Sequence, residues 1–275
     1  MSPRPPAHGR GPRRGPSARA GAPRRPTSEG LGGEQVEGRR AVLEVLKARR
    51  RSVQRILLAD QQDPSDVLDA IEREAQRQRV PVSVVSMARL DREARTEGHQ
   101  GVVAFAGRLP TTDLTALATD PRAFLLVCDG VTDPRNLGAM LRSADGAGVT
   151  GVVLPRHRSA RISPTVTKTA AGAIEYLDFC DVGGVPAALD QLTKAGVLTV
   201  GLAGESPHSL YDLDLGSGPV ALVVGGEEKG LASLTRKRCA AVVSIPQLGK
   251  ISSLNAGVAY SIAAFEVARQ RRLSR

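Results

Sequence analysis

The chain has 275 residues, of which 38 are Lys or Arg and 28 are Asp or Glu, so its formal net charge is +10. This length suits one large or two modest domains, and a hydrophobic content of 41% favours a folded chain. No apolar run approaches the ~18 residues of a membrane span, and the N-terminus lacks the apolar core of a secretory signal, so we expect neither. The three widely spaced cysteines match no metal-binding pattern and favour the reducing cytoplasm.

The first 33 residues are expected to form a disordered, basic tail. They contain seven Pro, seven Gly and seven Arg but a single acidic residue, Glu29, so this segment carries +6 of the total charge of +10. So few large apolar side chains cannot compensate for the entropy lost on folding. A basic tail favours a polyanionic partner such as nucleic acid. A low-complexity solubilising extension has the same composition, so both interpretations stay open.

Residues 34–107 alternate helix and strand patterns, which predicts a small layered α/β domain. A helical pattern follows Gly38, and Ser65 is placed to cap a second helix. Apolar segments at 55–59, 81–85 and 102–105 predict three strands. Because no aromatic residue precedes Phe105, we exclude the RNA-recognition-motif sheet, which stacks bases on aromatic side chains.

Residues 108–120 are rich in Pro and short polar residues and predict a linker, which leaves 121–275 as a larger domain. The strand candidates of this domain are continuous apolar runs: Phe124–Cys128, Val152–Leu154, Val197–Gly201, Val220–Val224 and Val242–Ile245. Helical patterns lie between or after them, at 136–147, 163–174, 186–195, 229–239 and 254–270. Continuous rather than alternating apolar strands predict a parallel sheet that is buried on both faces.

The last helical pattern is the clearest. Its apolar residues fall on one face at spacings of four, four and three: Leu254, Val258, Ile262 and Phe265. Ser252 or Ser253 is placed to cap its start, and the Arg residues near its end suit the helix dipole. An amphipathic helix is therefore predicted at the C-terminus.

Several common enzyme signatures are absent from the sequence. There is no P-loop, no dinucleotide-binding glycine fingerprint, no zinc-protease motif and no nucleophile elbow, and the four His residues do not cluster. Three polar loops remain, and each follows a predicted strand. Ligands of open α/β sheets bind at the carboxyl ends of the strands, so these loops are the candidate site.

The first polar loop, residues 129–144, contains an Asp-Pro turn and leads into a helix expected to start near Asn136, a possible N-cap. Arg142 then falls inside a helix of small and apolar residues. Arg142 is either paired with a carboxylate at the end of the sheet, which spacing alone favours, or an anion clamp.

The second polar loop, Gly-Gly-Glu-Glu-Lys-Gly at 225–230, has two interpretations. Its paired glycines let the backbone approach a ligand closely, or they form a plain tight turn with exposed charges. The third polar loop, 244–255, ends in Ser-Ser-Leu-Asn at the start of the last helix. Polar side chains and free N–H groups at a helix N-terminus suit an anion or a polar ligand, although capping alone would need only one of these residues.

Together, the three loops resemble the three motifs of the SpoU (TrmH-type) RNA ribose 2'-O-methyltransferases of the SPOUT superfamily. The resemblance is carried by Asp-Pro-Arg-Asn-Leu-Gly-Ala-Met-Leu-Arg-Ser-Ala (133–144), Gly-Gly-Glu-Glu-Lys-Gly-Leu (225–231), and Ser-Ile-Pro (244–246) followed by Ser-Ser-Leu-Asn-Ala-Gly-Val-Ala (252–259). It covers about residues 34–275 and is strongest to the bacterial enzymes that methylate a guanosine of 23S rRNA.

The resemblance implies a C-terminal parallel α/β SPOUT domain with a deep trefoil knot, and a small ribosomal-protein-like N-terminal domain that binds the RNA. It implies a cytoplasmic homodimer that uses S-adenosylmethionine, needs no metal and has 23S rRNA as its partner. The residues matched to cofactor binding are Gly225, Ile245 and Leu254. Those matched to the catalytic centre are Asn136, Arg142, Glu227, Ser253 and Asn255. In the N-terminal domain, candidate phosphate contacts are Arg39, Arg40, Arg49, Arg50 and Arg51; the alternative is that these arginines form a solvated helix face.

The implied reaction is an in-line transfer of a methyl group from a sulfonium to a ribose 2'-OH. A guanidinium has a pKa above about 12 and is a poor base. We therefore prefer a role for Arg142 in binding the adjacent RNA phosphate and lowering the pKa of the 2'-OH, with the proton leaving to that phosphate, to water or to Glu227. The alternatives are the same reaction on tRNA or on an antibiotic-resistance site of rRNA, and a catalytically silent RNA-binding factor in ribosome assembly.

Overall fold

The structure is a computed structural model that describes Met1, residues 31–251 and residues 253–273. Most of the predicted tail, residues 2–30, lies outside the described residues. Residues 31–33, which the tail prediction also includes, are packed against the folded chain. Leu31 is 2% exposed in the main hydrophobic core, and Gly32 forms a parallel bridge with Ile162. The prediction of a disordered tail is therefore wrong for residues 31–33.

Residues 35–106 form a four-stranded mixed sheet with three helices. Its elements are β1 (Gln35–Glu37), α1 (Arg39–Ala48), β2 (Val53–Ala59), α2 (Asp66–Gln78), β3 (Val82–Val85), α3 (Met87–Glu93) and β4 (Val102–Ala106). The strand order is β1-β4-β2-β3, with β2 and β3 parallel and the other pairs antiparallel. The predicted layered α/β arrangement is confirmed, and Ser65 caps α2 by accepting a hydrogen bond from the Leu68 N–H.

The rest of the chain builds a six-stranded sheet. Its elements are α4 (Leu114–Ala118), β5 (Phe124–Asp129), α5 (Pro134–Ala147), β6 (Gly151–Pro155), α6 (Pro164–Thr169), β7 (Asp178–Val182), α7 (Val185–Lys194), β8 (Leu198–Leu202), β9 (Val220–Gly225), α8 (Ser233–Arg238), β10 (Ala241–Val243) and α9 (Ala256–Leu273). The strand order is β10-β8-β9-β5-β6-β7, and every neighbouring pair is parallel. Separate hydrophobic clusters cover its two faces, so the predicted parallel, doubly buried sheet is confirmed.

Several elements differ from the sequence-based expectation, among them β1 and α3, which the sequence patterns do not predict. The predicted linker contains α4, whose leucines are buried in one of these clusters. The sequence pattern does not reveal β7, because Asp178 and Asp181 interrupt its apolar run. The helix predicted over 163–174 ends at Thr169, since Ala171 and Gly172 adopt positive φ angles of 52° and 93°. At Gly172 a side chain would also collide with α1, since a Cβ there would lie 2.4 Å from the Cβ of Glu44.

The N-cap of helix α9 is Asn255. Ser253, one of the two caps predicted from the sequence, does not have this role. Its side-chain Oδ1 accepts hydrogen bonds from the N–H groups of Gly257 (2.9 Å) and Val258 (3.3 Å). Ser252, the other expected cap, lies outside the described residues. The cap therefore falls on a residue that was matched to the catalytic centre.

The apolar face predicted for the last helix is largely turned outward. Exposed fractions reach 37% for Leu254, 47% for Val258 and 51% for Phe265. The face of α9 that packs on the sheet carries Tyr260, Ala263, Ala264 and Val267 instead. The amphipathic pattern is present, but its large apolar residues are not the ones that fill the core.

A buried ion pair joins the two sheet-bearing units. Arg51 follows α1, and Glu175 lies in a short 3-10 turn after α6; their side chains are 2% and 1% exposed. Arg51 Nε and Nη2 donate to the two carboxylate oxygens of Glu175 at 3.0 and 2.6 Å. Arg51 Nη1 also donates to the carbonyls of Gly33 and Gly107. This bidentate arrangement fixes how the smaller unit is set against the larger one.

Candidate active site

A cavity of about 340 Å³ opens where β8, β9 and β10 end and α9 begins. Its walls are mainly backbone and small or apolar side chains from the loops after these strands. The three residues matched to cofactor binding, Gly225, Ile245 and Leu254, all line it. The cavity lies at the carboxyl edge of the parallel sheet, and its size suits a small molecule.

The second polar loop is a tight turn and a wall of this cavity at once. A Cβ atom on Gly225 would lie 2.0 Å from the carbonyl carbon of Gly230, a separation that no side chain tolerates. The Gly230 N–H donates to the Gly226 carbonyl (2.9 Å), and Asp129 Oδ2 accepts from the Ala232 N–H (2.8 Å). The two interpretations of this loop are therefore compatible, because the turn that requires glycine also leaves the cavity open.

Three residues matched to the catalytic centre form one hydrogen-bonded chain at the cavity rim. Asn255 Nδ2 donates to Asn136 Oδ1 at 3.0 Å, and Asn136 Nδ2 donates to Glu227 Oε1 at 2.6 Å. The orientation of both amides follows from the cap, because the Asn255 oxygen is occupied by backbone N–H groups and only its nitrogen is left to donate. The chain is exposed, so a large substrate can reach it.

Ser253 lines the same cavity, which places four of the five predicted catalytic residues at one site. The sequence suggested that Asn136 is the N-cap of α5, and this prediction is wrong. Helix α5 begins at Pro134, and Asp133 caps it by accepting a hydrogen bond from the Arg135 N–H (2.9 Å). The side chain of Asn136 is thereby free to bond across to the other loops.

Arg142 lies apart from this chain. It follows Asn136 by six residues on α5, which is ~9 Å along the helix axis. Its side chain is exposed, and among the described residues it forms no ion pair, so the pairing with a sheet-end carboxylate that spacing favours is not found. Arg142 borders a separate cleft of about 590 Å³ between the two units.

The five Arg residues predicted to contact phosphate have different surroundings. Arg51 is a correction, because its guanidinium is buried in the ion pair described above and offers no donor to RNA. Arg50 is partly committed to the same contact, since it donates to backbone carbonyls of the larger unit. Arg40 and Arg49 are exposed. Arg39 is half-buried, and its guanidinium donates to the Gln100 carbonyl and to Gln62 Oε1.

The loop after β8 also contributes to the cavity, although the sequence gives little sign of it. Ala203 and Gly204 line the wall beside Gly226. The available signal is small residues directly after a predicted strand. That signal is weaker than in the second polar loop, because no charged side chain accompanies it.

Neither a metal centre nor a reactive thiol is evident in the described chain. Within residues 31–251 and 253–273, no three His, Cys, Asp or Glu side chains are grouped to hold a metal ion. Burial raises the pKa of Cys128 to about 12 and that of Cys180 and Cys239 to about 11, so these thiols stay protonated near neutral pH.

Among the described residues, every helix is too short or too polar to span a lipid bilayer.

Family models match both units. The model described as the SpoU rRNA methylase family matches residues 123–265, which is more than half of the chain. A second model, described as RNA 2'-O ribose methyltransferase substrate binding, matches residues 35–111.

Curated relatives match this chain over most of its length. The chain is 38% identical over 250 residues to the 23S rRNA (guanosine-2'-O-)-methyltransferase RlmB of Pseudomonas putida, covering 88% of this chain and 98% of that one. It is 43% identical over 208 residues to RlmB of Pectobacterium atrosepticum, covering 74% and 85%.

Solved structures agree with the sequence matches. The SpoU methyltransferase AviRb from Streptomyces viridochromogenes has a TM-score of 0.73 at 25% identity, covering 88% of this chain and 90% of that one. AviRb has also been solved in complex with the cofactor AdoMet. Hydrogen bonds of Asn136 link the first polar loop to the two others at the cavity rim, as the three motifs of this family lead one to expect. Because the family model matches more than half of the chain and the relatives match over most of their length, this chain belongs to the SpoU rRNA methylase family.

Proposed function

We propose that this protein transfers the methyl group of S-adenosylmethionine to the ribose 2'-oxygen of a guanosine in 23S rRNA. One observation carries the proposal: the glycine-walled cavity opens directly onto the exposed chain Asn255–Asn136–Glu227. The cavity offers a place for a small cofactor, and the chain offers polar groups to a macromolecule. The choice of RNA rests on the RlmB relatives, which are 23S rRNA (guanosine-2'-O-)-methyltransferases.

The residues that line the cavity fit this cofactor. Backbone of the second polar loop approaches closely at Gly225, while Ile245 and Leu254 supply apolar walls. Glu227 adds a carboxylate at the rim, which complements a positively charged sulfonium. When bound, S-adenosylmethionine supplies an electrophilic methyl group, and the protein supplies position and electrostatics.

The polar chain at the rim orients the ribose and offers an acceptor for its proton. Asn136 holds Glu227 Oε1, which leaves Oε2 of the same carboxylate for a substrate hydroxyl. Asn255 fixes Asn136 and is itself fixed by helix α9. Because both amides are preorganised, they need no rearrangement when the 2'-OH approaches. The proton acceptors available in this arrangement are Glu227, the RNA phosphate and water.

Arg142 acts as a phosphate clamp in this proposal. Its guanidinium is exposed and, among the described residues, free of ion pairs, so it keeps its hydrogen-bond donors for an anion. A cation that binds the phosphate next to the target ribose stabilises the developing alkoxide and lowers the pKa of the 2'-OH. Lysine at this position would lack the planar fork that makes two parallel hydrogen bonds.

We further propose that the protein is a homodimer whose second copy covers the outward face of α9. The apolar side chains Val258 and Phe265 are about half exposed, and Leu254 lies on the same side at the mouth of the cavity. A contiguous exposed apolar face of this kind is typical of a subunit interface. The site would then lie next to the partner subunit.

Membership of the SpoU rRNA methylase family supports three further proposals, two on the fold and one on the location of the protein. We propose that the loops around the cavity form a deep trefoil knot, that the smaller unit is ribosomal-protein-like and grips the rRNA, and that the protein acts in the cytoplasm. The family matches over residues 35–111 and 123–265 support the domain roles. The exposed guanidinium group of Arg40 is available for a phosphate contact in this gripping unit, while the exposed group of Arg49 lies 3.8 Å from Glu74 and would exchange that weak pair for a phosphate.

The proposal is tested by supplying labelled S-adenosylmethionine with unmethylated 23S rRNA and, in parallel, with unmodified tRNA. Label in 23S rRNA is expected. Label in tRNA alone would keep the chemistry and overturn the substrate. Calorimetric binding of the cofactor without transfer to any RNA or pre-ribosomal particle would favour a catalytically silent assembly factor.

A further inference from the structure

The cleft of about 590 Å³ between the two units has its own set of chemical groups. Helix α1 forms one wall, and α5 with the segment that follows α6 forms the other. Two of its lining residues already have a role in the proposal above: Arg142 as the phosphate clamp, and Arg40 as a phosphate contact of the smaller unit. Glu175 lies between the lining residues Ala173 and Tyr176 and pairs with Arg51 of the smaller unit, so a buried ion pair joins the two walls next to the cleft.

Lys168 spans the cleft from the larger unit towards the smaller one. A Cβ on Gly98 would lie 2.1 Å from Lys168 Nζ, and one on Gly38 would lie 3.6 Å from its Cγ, so the side chain lies across the backbone of the opposite wall. Within the described chain, no carboxylate pairs with this ammonium group. A cation held in place without a counter-ion is suited to a phosphate.

Two carboxylates face each other on opposite walls of the same cleft. Glu44 comes from α1 and Asp145 from α5, and both line the space. Burial raises the pKa of Asp145, and the charge of Glu44 raises it further. Glu44 is partly satisfied by the hydroxyl of Tyr176 (2.6 Å) and by Lys47 (3.4 Å). In the described residues, the Asp145 side chain has no such partner, so it keeps its acceptor capacity for a ligand.

Tyr176 supplies an aromatic surface at the same place. Its side chain is 50% exposed, while its hydroxyl is anchored on Glu44 Oε2. Unpaired RNA bases are commonly bound by stacking on an exposed aromatic ring while hydrogen bonds read their edges. A cation, a free acceptor and an anchored ring in one cleft form the set of groups that an unstacked nucleotide requires.

We propose that this cleft binds an unpaired nucleotide of the RNA that neighbours the methylated one, with Lys168 on its phosphate, Asp145 accepting from the amino-bearing edge of its base and Tyr176 against its face. The inference rests on the proposed RNA substrate and adds residues that select it. Asp145 lies nine residues after Asn136 on α5, ~13 Å along the axis, so the bound nucleotide is a neighbour of the target.

The phosphate contact is tested with Lys168→Met, with Lys194→Met as a matched control. Lys194 is an exposed lysine at the end of α7, away from the cleft, so both variants lose the same charge. Binding of unmethylated 23S rRNA is measured at several salt concentrations. Lys168→Met is expected to bind more weakly and to reduce the slope of log affinity against log salt by about 0.7 relative to the control. Equal slopes for the two variants would overturn the contact.

The base contact is tested with Asp145→Asn, for which the sign of the effect is decisive. Removing a negative charge near a polyanion should by itself strengthen RNA binding. If Asp145 reads an amino group, binding is instead expected to weaken, by about tenfold. Relief of the repulsion from Glu44 should leave the unfolding temperature unchanged or higher, so the loss would not reflect misfolding. Unchanged or tighter RNA binding would overturn the inference.

The two levels of the proposal fail differently. In all three variants the affinity for S-adenosylmethionine is expected to equal that of the wild type, because the cofactor cavity is separate from the cleft. If the wild type methylates rRNA but both cleft variants bind it normally, only the cleft inference is wrong. If the wild type binds no rRNA, the proposed substrate is wrong.

Discussion

Asn136 is held at both ends of its amide, by Asn255 on one side and Glu227 on the other. These three residues come from segments that are far apart in sequence: the first turn of α5, the second polar loop and the start of α9. The order of donors and acceptors starts at the helix cap, because Asn255 Oδ1 already receives the N–H of Gly257. Any change that reverses one amide therefore disturbs the whole chain.

Asn136→Asp tests this chain. It would place a second carboxylate against Glu227 Oε1, where Nδ2 now donates at 2.6 Å. Two carboxylates at this distance repel each other unless they share a proton, so the variant either displaces the Glu227 side chain or leaves it a weaker proton acceptor. Single-turnover methyl transfer is expected to fall by about 100-fold near neutral pH. Wild-type transfer with normal cofactor binding would contradict the role assigned to Asn136.

Gly225→Ala tests the glycine wall of the cavity. The added Cβ would meet the Gly230 backbone at 2.0 Å, so the loop that lines the cavity would have to shift. We expect weaker S-adenosylmethionine binding by calorimetry and a loss of about 1–3 kcal/mol in unfolding free energy. Gly183→Ala is the control, because nothing lies within 4 Å of a Cβ at that position. Equal cofactor affinity in the two variants would contradict the placement of the cofactor.

At the level of the element, α9 shows what a periodic pattern can and cannot predict. The spacing of Leu254, Val258 and Phe265 correctly identifies an apolar face. It does not say what covers that face, and small residues such as Ala263 and Ala264 fill the contact with the sheet instead. A stripe of large apolar side chains indicates that this face of the helix is buried. The surface that buries it can be the core of the same chain or a partner subunit.

Val258→Glu tests the proposed dimer. A charge in the middle of the outward face of α9 should be tolerated by the monomer, where Val258 is 47% exposed, but not by an apolar interface. We expect the variant to sediment as a monomer and to lose transfer activity. Leu234→Glu on α8 is the control, since Leu234 is also exposed. A wild type that is monomeric at all concentrations would contradict the dimer.

The start of α5 illustrates a second point at this scale. The sequence places polar Asn136 where a cap is expected, yet Asp133 caps the helix and Pro134 occupies its first turn. Asp is a preferred N-cap and Pro is favoured at the first helical position, so the pair at 133–134 is a stronger start signal than Asn136. The spacing of the apolar residues predicts the presence of this helix, and the Asp-Pro pair marks its first residue.

At the level of the whole molecule, the contact between the two units depends on Arg51 and Glu175. Arg51 stands in a run of three arginines, and the sequence offers no means to tell the buried one from its exposed neighbours. The three loops of the site are predictable, because parallel strands bring their carboxyl ends together. The interdomain cleft is not, because it depends on how two independently patterned units are set against each other.

Arg51→Met tests the contact between the units. It would leave the Glu175 carboxylate buried without a partner, since its side chain is 1% exposed. The expected loss is about 3–5 kcal/mol of unfolding free energy in urea, and Arg51→Met with Glu175→Leu should recover part of it. Arg49→Met, at an exposed position with a 3.8 Å pair to Glu74, should change stability by less than about 1 kcal/mol. Equal losses at both arginines would contradict the structural role of the buried pair.

The central claim is that the cofactor cavity and the polar chain at its rim direct a methyl group to one ribose oxygen. Mass-spectrometric mapping of labelled 23S rRNA after reaction with the wild-type protein tests this most directly. The expected product carries a single methyl group on the 2'-oxygen of one guanosine, and Asn136→Asp should give little of it. Methyl groups on a base, or on the riboses of many nucleotides, would contradict the account.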